Sequence, residues 1–436
     1  MRLAILGGGG FRVPLVYRAL LRRPELGVTE LVLADADPAR LAVIARIVRP
    51  AGHLAVRLAG SPDEAVTGAD FVFSAIRAGG VDGRAADERR AVRAGVLGQE
   101  TVGAAGLAYA LRTLPAALRI ARAVADRAPS AWLINFTNPA GLVTEASRAT
   151  LGDRVIGICD SPAALVGRAC RALGVPPSAV RPDYLGINHL GWLRGLSAAG
   201  GAELLPALLA DDDRLLSFEE GRLFGSRLLR RLGTIPNEYL YFYYHSRELL
   251  AAQRDAPTRG EVVAGEQRAF YAAAAAEPGR TAELWEQARR RREETYLAEA
   301  RSTERDAADL VGGGYEGIAL RLMAALAGGP PDELVLNVAN RDTVPQLPAD
   351  LVLETGCGVD AAGARPLPAG PLGLAELGLI ASVRAAERAA LHASATGSRE
   401  AAVHAFASHP LIASERIALR LLDDLLRDEP GLLGTG

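Results

Sequence analysis

Four consecutive glycines constrain this chain more than any other feature. The apolar run RLAIL, residues 2–6, ends directly in Gly7, Gly8, Gly9 and Gly10, and the helical pattern VPLVYRALLRR follows at residues 13–23. Glycines between a strand and a helix let the backbone approach a pyrophosphate seated on the helix N-terminus. A second apolar run, ELVLAD, closes on Asp35. An acidic side chain there would hydrogen-bond an adenosine ribose and favour NAD over its 2′-phosphorylated relative. The usual third glycine is missing, FRVPL standing in its place. Such a cluster could also make only a tight turn, but its place at the head of an alternating pattern supports nucleotide binding. Candidate cofactor residues are Gly7 to Gly10, Phe11, Arg12, Asp35, Arg40, Ile76 and Asn135.

The alternation continues with the helical pattern PARLAVIARIV and the strand candidates FVFSAI near residue 73, AWLINF near 133 and RVIGIC near 156. Continuous apolar strands between amphipathic helices predict a parallel sheet covered on both faces. The expected fold class is α/β, with a Rossmann-like NAD domain over residues 1–165. At 436 residues a second domain is expected. Residues 166–436 read as a mixed α/β domain completing the substrate and metal site. It has a helix at ALVGRACRAL, a strand at DYLGIN, and a helical stretch over 261–310 broken at Pro278. Strands and turns follow over 333–359, then helix over 372–427 and a flexible tail GLLGTG. The run Arg289 to Arg292, next to Glu293 and Glu294, reads as a solvated face.

Composition excludes several classes. The net charge of −2 gives no global pull toward nucleic acid or an anionic membrane. The sequence contains no lysine, which removes Schiff-base chemistry and a phosphate-loop lysine. Cys159, Cys170 and Cys357 are odd in number and widely spaced, which fits a reducing compartment. No charge-free run approaches the ~20 residues that span a bilayer, and the first residues read as a strand. A cytoplasmic, soluble protein is expected.

Four segments share an unusual wording: GRAADERRAVRAGVLGQETVGAAGLAYALRTLP (83–115), AWLINFTNPAGLVTEA (131–146), VIGICDSP (155–162) and GINHLGW (186–192). Together with PNEYL and TRGEVV they resemble family 4 glycoside hydrolases, and within that family the 6-phospho-β-glucosidases most. The resemblance spans nearly the whole chain. It implies NAD and a divalent metal, usually manganese, as cofactors, a sugar-phosphate as substrate, and a homodimer or homotetramer. Most glycosidases place two carboxylates about an oxocarbenium-like transition state. The resemblance implies a different route: oxidation at C3 acidifies the C2 proton, and its removal expels the C1 oxygen. Water then adds, and the hydride returns to C3.

The resemblance also implies site residues. Cys159 and His189 match the metal ligands; on their own they read as a buried strand-end thiol and a core histidine. Two protein ligands leave substrate oxygens to complete the shell. Tyr239 in PNEYL matches the base, with Tyr241 in reserve among the aromatics that follow. A phenol ordinarily titrates near ~10, so nearby positive charge is needed, from the metal and Arg259. Arg84 and Asn138 match positions holding the sugar-phosphate and the C3 region, though Arg84 alone reads as a charge on an exposed helix and Asn138 as a turn residue. Glu100 and Asn188 match polar cleft positions. Asp160 is a departure, because the β-specific members usually carry asparagine after the metal cysteine. It could act as acid to the leaving oxygen or signal α preference, while INFTNPAG and INHLGW favour the β group. Alternatives are a 6-phospho-α-glucosidase, a glycosidase of unphosphorylated sugars, a plain NAD-dependent dehydrogenase and a non-catalytic sensor.

Overall fold

The computed structural model describes residues 1–295 and 314–434. The early apolar runs form β1 (Arg2–Leu6), β2 (Glu30–Ala34), β4 (Phe71–Ser74), β5 (Trp132–Asn135) and β6 (Val155–Gly157), with β3 (Ala55–Leu58) beyond β2. They lie in the order β3-β2-β1-β4-β5-β6, every pair parallel. The fold class is the expected one: an α/β structure opening with a doubly covered parallel sheet. Strands β1, β2 and β4 are buried along nearly their whole length, as strands covered on both faces must be. The edge strand β3 is half exposed, so it has no apolar run to reveal it.

The sheet does not stop at β6. Antiparallel β10 (Asp332–Ala339) lies beside it, followed by β11 (Val352–Asp360), β7 (Val180–Ile187), β8 (Leu190–Ala198) and β9 (Ile235–Pro236), while β12 (Gly363–Pro366) pairs with β11. At this seam Gly157 faces Asn337. A Cβ on Gly157 would stand 2.4 Å from the Thr144 hydroxyl and 2.8 Å from the Asn337 Cβ, so the two halves meet only because this residue has no side chain.

Both sheet faces carry a core. One joins Leu3, Ile5, Phe73 and Ile134 to Ile318, Leu322 and Met323 of the helix Tyr315–Leu326. The other packs Ala4, Val32 and Leu133 under Ile120 and Val124 of the helix Gly103–Arg127. Each such leucine or isoleucine contributes about 1.5–3 kcal/mol on burial. The chain's later half therefore supplies a wall of the first core.

The helical stretch expected over 261–310 is two helices, Arg259–Ala276 and Thr281–Glu294, separated at Pro278; its part beyond residue 295 lies outside the described residues. Thr258 starts the first of these with a capping box closed by Glu261. Residues 372–427 form three helices, because Gly397 and then Pro410 interrupt the pattern. The tail differs from expectation: Leu432 and Leu433 pack against the cluster that includes Leu421 and Leu425. Among the described residues no helix is long and apolar enough to cross a membrane.

Candidate active site

The glycine loop forms one wall of a cavity of about 220 Å³ lined by Gly7, Gly10, Phe11, Arg12, Arg40, Ile76, Arg77, Glu100, Asn138, Arg292 and Tyr315, among others. Gly7 has φ 91°, and a Cβ there would lie 2.4 Å from the Ala75 carbonyl oxygen, so no other residue fits. Asp35 sits where expected, at the end of β2, and accepts the Gly9 N–H at 2.8 Å while its other oxygen accepts from Asp37 N. It fixes the loop as well as marking the ribose position. The later half clamps the same loop. Tyr271 donates to the Gly9 carbonyl at 2.7 Å, and the fully buried Trp285 donates its indole N–H to the Phe11 carbonyl at 2.8 Å. Arg40 lies over the Tyr271 ring, 4.5 Å from its centroid. Asn135, at the end of β5, pegs the turn that follows: its amide N–H groups go to the Thr137 and Ala140 carbonyls and the Thr144 hydroxyl.

A cationic wall faces this loop. Arg84 is not the exposed charge its helix pattern suggests; its side chain is 9% exposed, bonded to Glu88 at 2.8 Å and paired with Glu100 at 2.6 Å. Arg77 pairs with the other oxygen of Glu100. Burial opposes a charge on Glu100, but Arg77 and Arg84 outweigh it and hold the carboxyl down at about 2. Arg292 corrects a further expectation. Arg289 and Arg290 do form local pairs with Glu286 and Glu293, but Arg292 lines the cavity. Burial and the guanidinium groups of Arg12, Arg84 and Arg77 push it down to about 9, Glu100 opposing. Crowded guanidiniums at one cavity end suit an anion with several oxygens, such as a phosphate. Sequence reasoning missed Arg77 and dismissed Arg292, since a lone arginine and a charged helical run carry no distinctive spacing. Arg259 begins its helix beside this wall, where Gly260 N–H donates to Glu88.

The third group stands at the tip of the β7–β8 hairpin. His189 is 2% exposed and has φ 62°, a left-handed conformation uncommon outside glycine. Its Nδ1 lies 2.8 Å from the Thr101 hydroxyl, which itself donates to Gln99. With the hydroxyl proton so committed, Nδ1 carries the ring proton and Nε2 keeps its lone pair. Burial lowers the imidazole to about 3, keeping it neutral. His189 Nε2 is buried with no hydrogen-bond partner among the described residues. A neutral imidazole with one nitrogen anchored and the other bare is what a metal ligand requires.

Tyr239 lies face to face on His189, ring centroids 3.7 Å apart and planes within 9°. The reserve residue Tyr241 instead contacts Phe224 and His245. Cys159 follows β6 and is 3% exposed; burial, then the Glu354 and Asp160 carboxylates, push its thiol well above the ordinary range. Such a thiol needs a cation beside it to ionise. Asp160 pairs with Arg12 at 3.3 Å, and Arg12 stands over the Tyr315 ring. The Tyr315 phenol, pushed up mainly by burial, feels Asp160, Cys159, Arg12 and Tyr239. Arg12 thus links Asp160 to the Tyr315 ring on the cavity wall, while His189 stacks on Tyr239. Ser161 donates to Glu238 at 2.6 Å and so ties the Cys159 turn to the Tyr239 turn. Asn188 lies one residue before His189, its side-chain Oδ1 accepting from Ala140 N. Among the described residues no group of three or more His, Cys, Asp or Glu side chains converges as a protein-only metal centre. The bare Nε2 of His189 suits a divalent ion, with Cys159 the candidate second ligand and ligand oxygens left to complete the shell.

Residues 2–175 match the family described as Family 4 glycosyl hydrolase, and residues 184–412 match Family 4 glycosyl hydrolase C-terminal domain. The chain is 29% identical over 444 residues to a probable 6-phospho-beta-glucosidase of Bacillus subtilis, covering 98% of this chain and 96% of the relative. It superposes on a solved structure of the 6-phospho-beta glucosidase of Thermotoga maritima with NAD and glucose-6-phosphate. The TM-score is 0.83 and the identity 25%, over 100% of both chains. A 6-phospho-alpha-glucosidase from gut microorganisms, solved with NAD and glucose-6-phosphate, gives a TM-score of 0.84 at 25% identity, covering 99% of this chain and 98% of that one.

Proposed function

The chain belongs to family 4 of the glycosyl hydrolases, and from that premise we propose that it hydrolyses 6-phospho-β-glucosides such as cellobiose-6-phosphate, with NAD and manganese as cofactors. One observation carries the reading: the buried Nε2 of His189 has no hydrogen-bond partner among the described residues, and its ring is stacked on Tyr239. When bound, NAD supplies a hydride acceptor for the sugar C3 and manganese a Lewis acid for the C2 and C3 oxygens.

The remaining work falls to the chain's own side chains. Arg84, Arg77 and Arg292 grip phosphate oxygens at the cationic wall, with Glu100 holding the first two in place. Asn138, on the cavity wall, orients the sugar hydroxyls. Cys159 and His189 would hold the metal. Tyr239 removes the C2 proton, and the leaving C1 oxygen takes a proton from Asp160, which Arg12 positions. Water then adds at C1, giving its proton to the Asp160 carboxylate left by the first step, and the proton held by Tyr239 returns to C2.

Asp160 also favours a second reading, a 6-phospho-α-glucosidase, because it stands after Cys159 where the β-specific members usually carry asparagine. The two 4-nitrophenyl glucoside 6-phosphates, β and α, offered with NAD, manganese and a reductant, decide between them. Turnover of the β anomer alone is expected, and turnover of the α anomer alone reverses the assignment. No turnover of either overturns the activity, and NADH accumulating in step with product points to a dehydrogenase.

A further inference from the structure

Beneath the His189 and Tyr239 turns lies a buried polar network centred on a residue the reaction has not used. Glu354 of β11 is 0% exposed. It accepts hydrogen bonds from Tyr184 OH at 3.2 Å, Asn188 Nδ2 at 3.3 Å and Asn337 Nδ2 at 3.0 Å. These donors come from β7, the β7–β8 turn and β10. For fold stability alone an apolar side chain would cost less to bury at this position. What the carboxylate adds is direction, since three donors from separate elements converge on it.

Two arms leave this hub. The first runs through Asn188 to the next residue, His189, whose left-handed backbone needs its surroundings to hold it. Asn188 is fixed at both ends, donating to Glu354 and accepting from Ala140 N at 3.0 Å. The second arm runs through Tyr184, whose hydroxyl accepts from Asn237 Nδ2 at 3.3 Å, and Asn237 Oδ1 in turn accepts the Tyr239 N–H at 2.8 Å. We propose that Glu354 is a positioning residue, fixing the metal-ligand turn through Asn188 and the tyrosine turn through Tyr184 and Asn237 so that His189 and Tyr239 keep one mutual geometry. This rests on the function proposed above and deepens it.

The test uses the full chain with Glu354→Ala, Glu354→Gln and Tyr184→Phe. Manganese binding is read from the free-ion electron paramagnetic resonance signal in the presence of NAD and glucose 6-phosphate, folding from circular dichroism, and turnover as kcat and KM separately. Loss of a hydrogen bond supporting a metal ligand typically costs about 10–100-fold in affinity or activity, and Glu354→Ala is expected to lose that much in both. Glu354→Gln can still accept from both asparagines and donate to Tyr184, so it is expected within about fivefold of the parent. Tyr184→Phe cuts only the second arm and is expected to lower kcat about tenfold with manganese affinity and KM unchanged. The proposal is overturned if Glu354→Ala binds manganese like the parent, if Glu354→Gln is as impaired as Glu354→Ala, or if Tyr184→Phe loses manganese affinity in step with kcat. Should Glu354→Ala not fold, the other two variants decide. A parent chain that binds manganese but hydrolyses neither anomer defeats the activity reading, while the manganese arm still reports on Glu354.

Discussion

Replacing Glu100 by glutamine removes the one carboxylate between Arg77 and Arg84 while keeping its size. In the folded chain the two guanidiniums hold this carboxyl at about 2, against an ordinary 4.5. At about 1.4 kcal/mol for each tenfold change in proton affinity, the charged form contributes about 3 kcal/mol. The side chain is only 14% exposed, so solvent screens little of this. The folded value lies below the unfolded one. The contribution is therefore fully present above pH 4.5 and is lost as pH falls through about 2. Urea denaturation of the parent and Glu100→Gln should differ by about 3 kcal/mol at pH 7 and by about 2 kcal/mol at pH 3.5. Other groups titrating in this range weigh equally on both proteins and cancel in the difference. A variant as stable as the parent at pH 7, or a difference that does not shrink on acidification, would refute the assignment of Glu100 as the wall's anchoring charge.

Tyr239→Phe keeps the stack on His189 but removes the proposed base, so kcat should fall by about 10²–10⁴ with KM changed only a few-fold; an unchanged kcat returns the role to another group. Arg292→Gln removes one cavity-lining guanidinium and should weaken a phosphate-bearing ligand, NAD or glucose 6-phosphate, by about tenfold or more in calorimetric titration. Equal affinity for both ligands in parent and variant would place Arg292 outside the anion site. His409 is buried, and burial lowers it to about 3. Its folded value lies below the unfolded 6.5, so the unfolded chain takes up the proton first and stability falls as pH drops below 6.5. By pH 4 this loss should reach about 3 kcal/mol in the parent and be absent in His409→Gln, as followed by denaturation at stepped pH.

The local pattern made the nucleotide half legible. A buried parallel strand must be apolar throughout and a phosphate-binding turn must be free of side chains, so RLAIL, the four glycines and Asp35 mark their own positions. The resemblance carried in a handful of motifs named Cys159, His189 and Tyr239 before any contact was visible, and the structure stacks two of them directly. The edge strand β3 escaped because half of it faces water. Arg292 escaped because a guanidinium looks the same in sequence whether it meets solvent or a cavity. The turn-pegging role of Asn135 was hidden because an amide's partners are set by the turn that follows it.

The sequence by itself determined which segments become buried strands, where the backbone can crowd a phosphate, and which side chains are equipped for metal and proton chemistry, because those properties belong to single residues and their near neighbours. Only the tertiary structure decided that β10 would close beside β6, that helices from residues 259–294 would clamp the glycine loop, and that one glutamate in β11 would sit beneath both the histidine and the tyrosine. Those relations join residues more than a hundred positions apart, and their energies exist only once the chain has brought the groups within hydrogen-bonding distance.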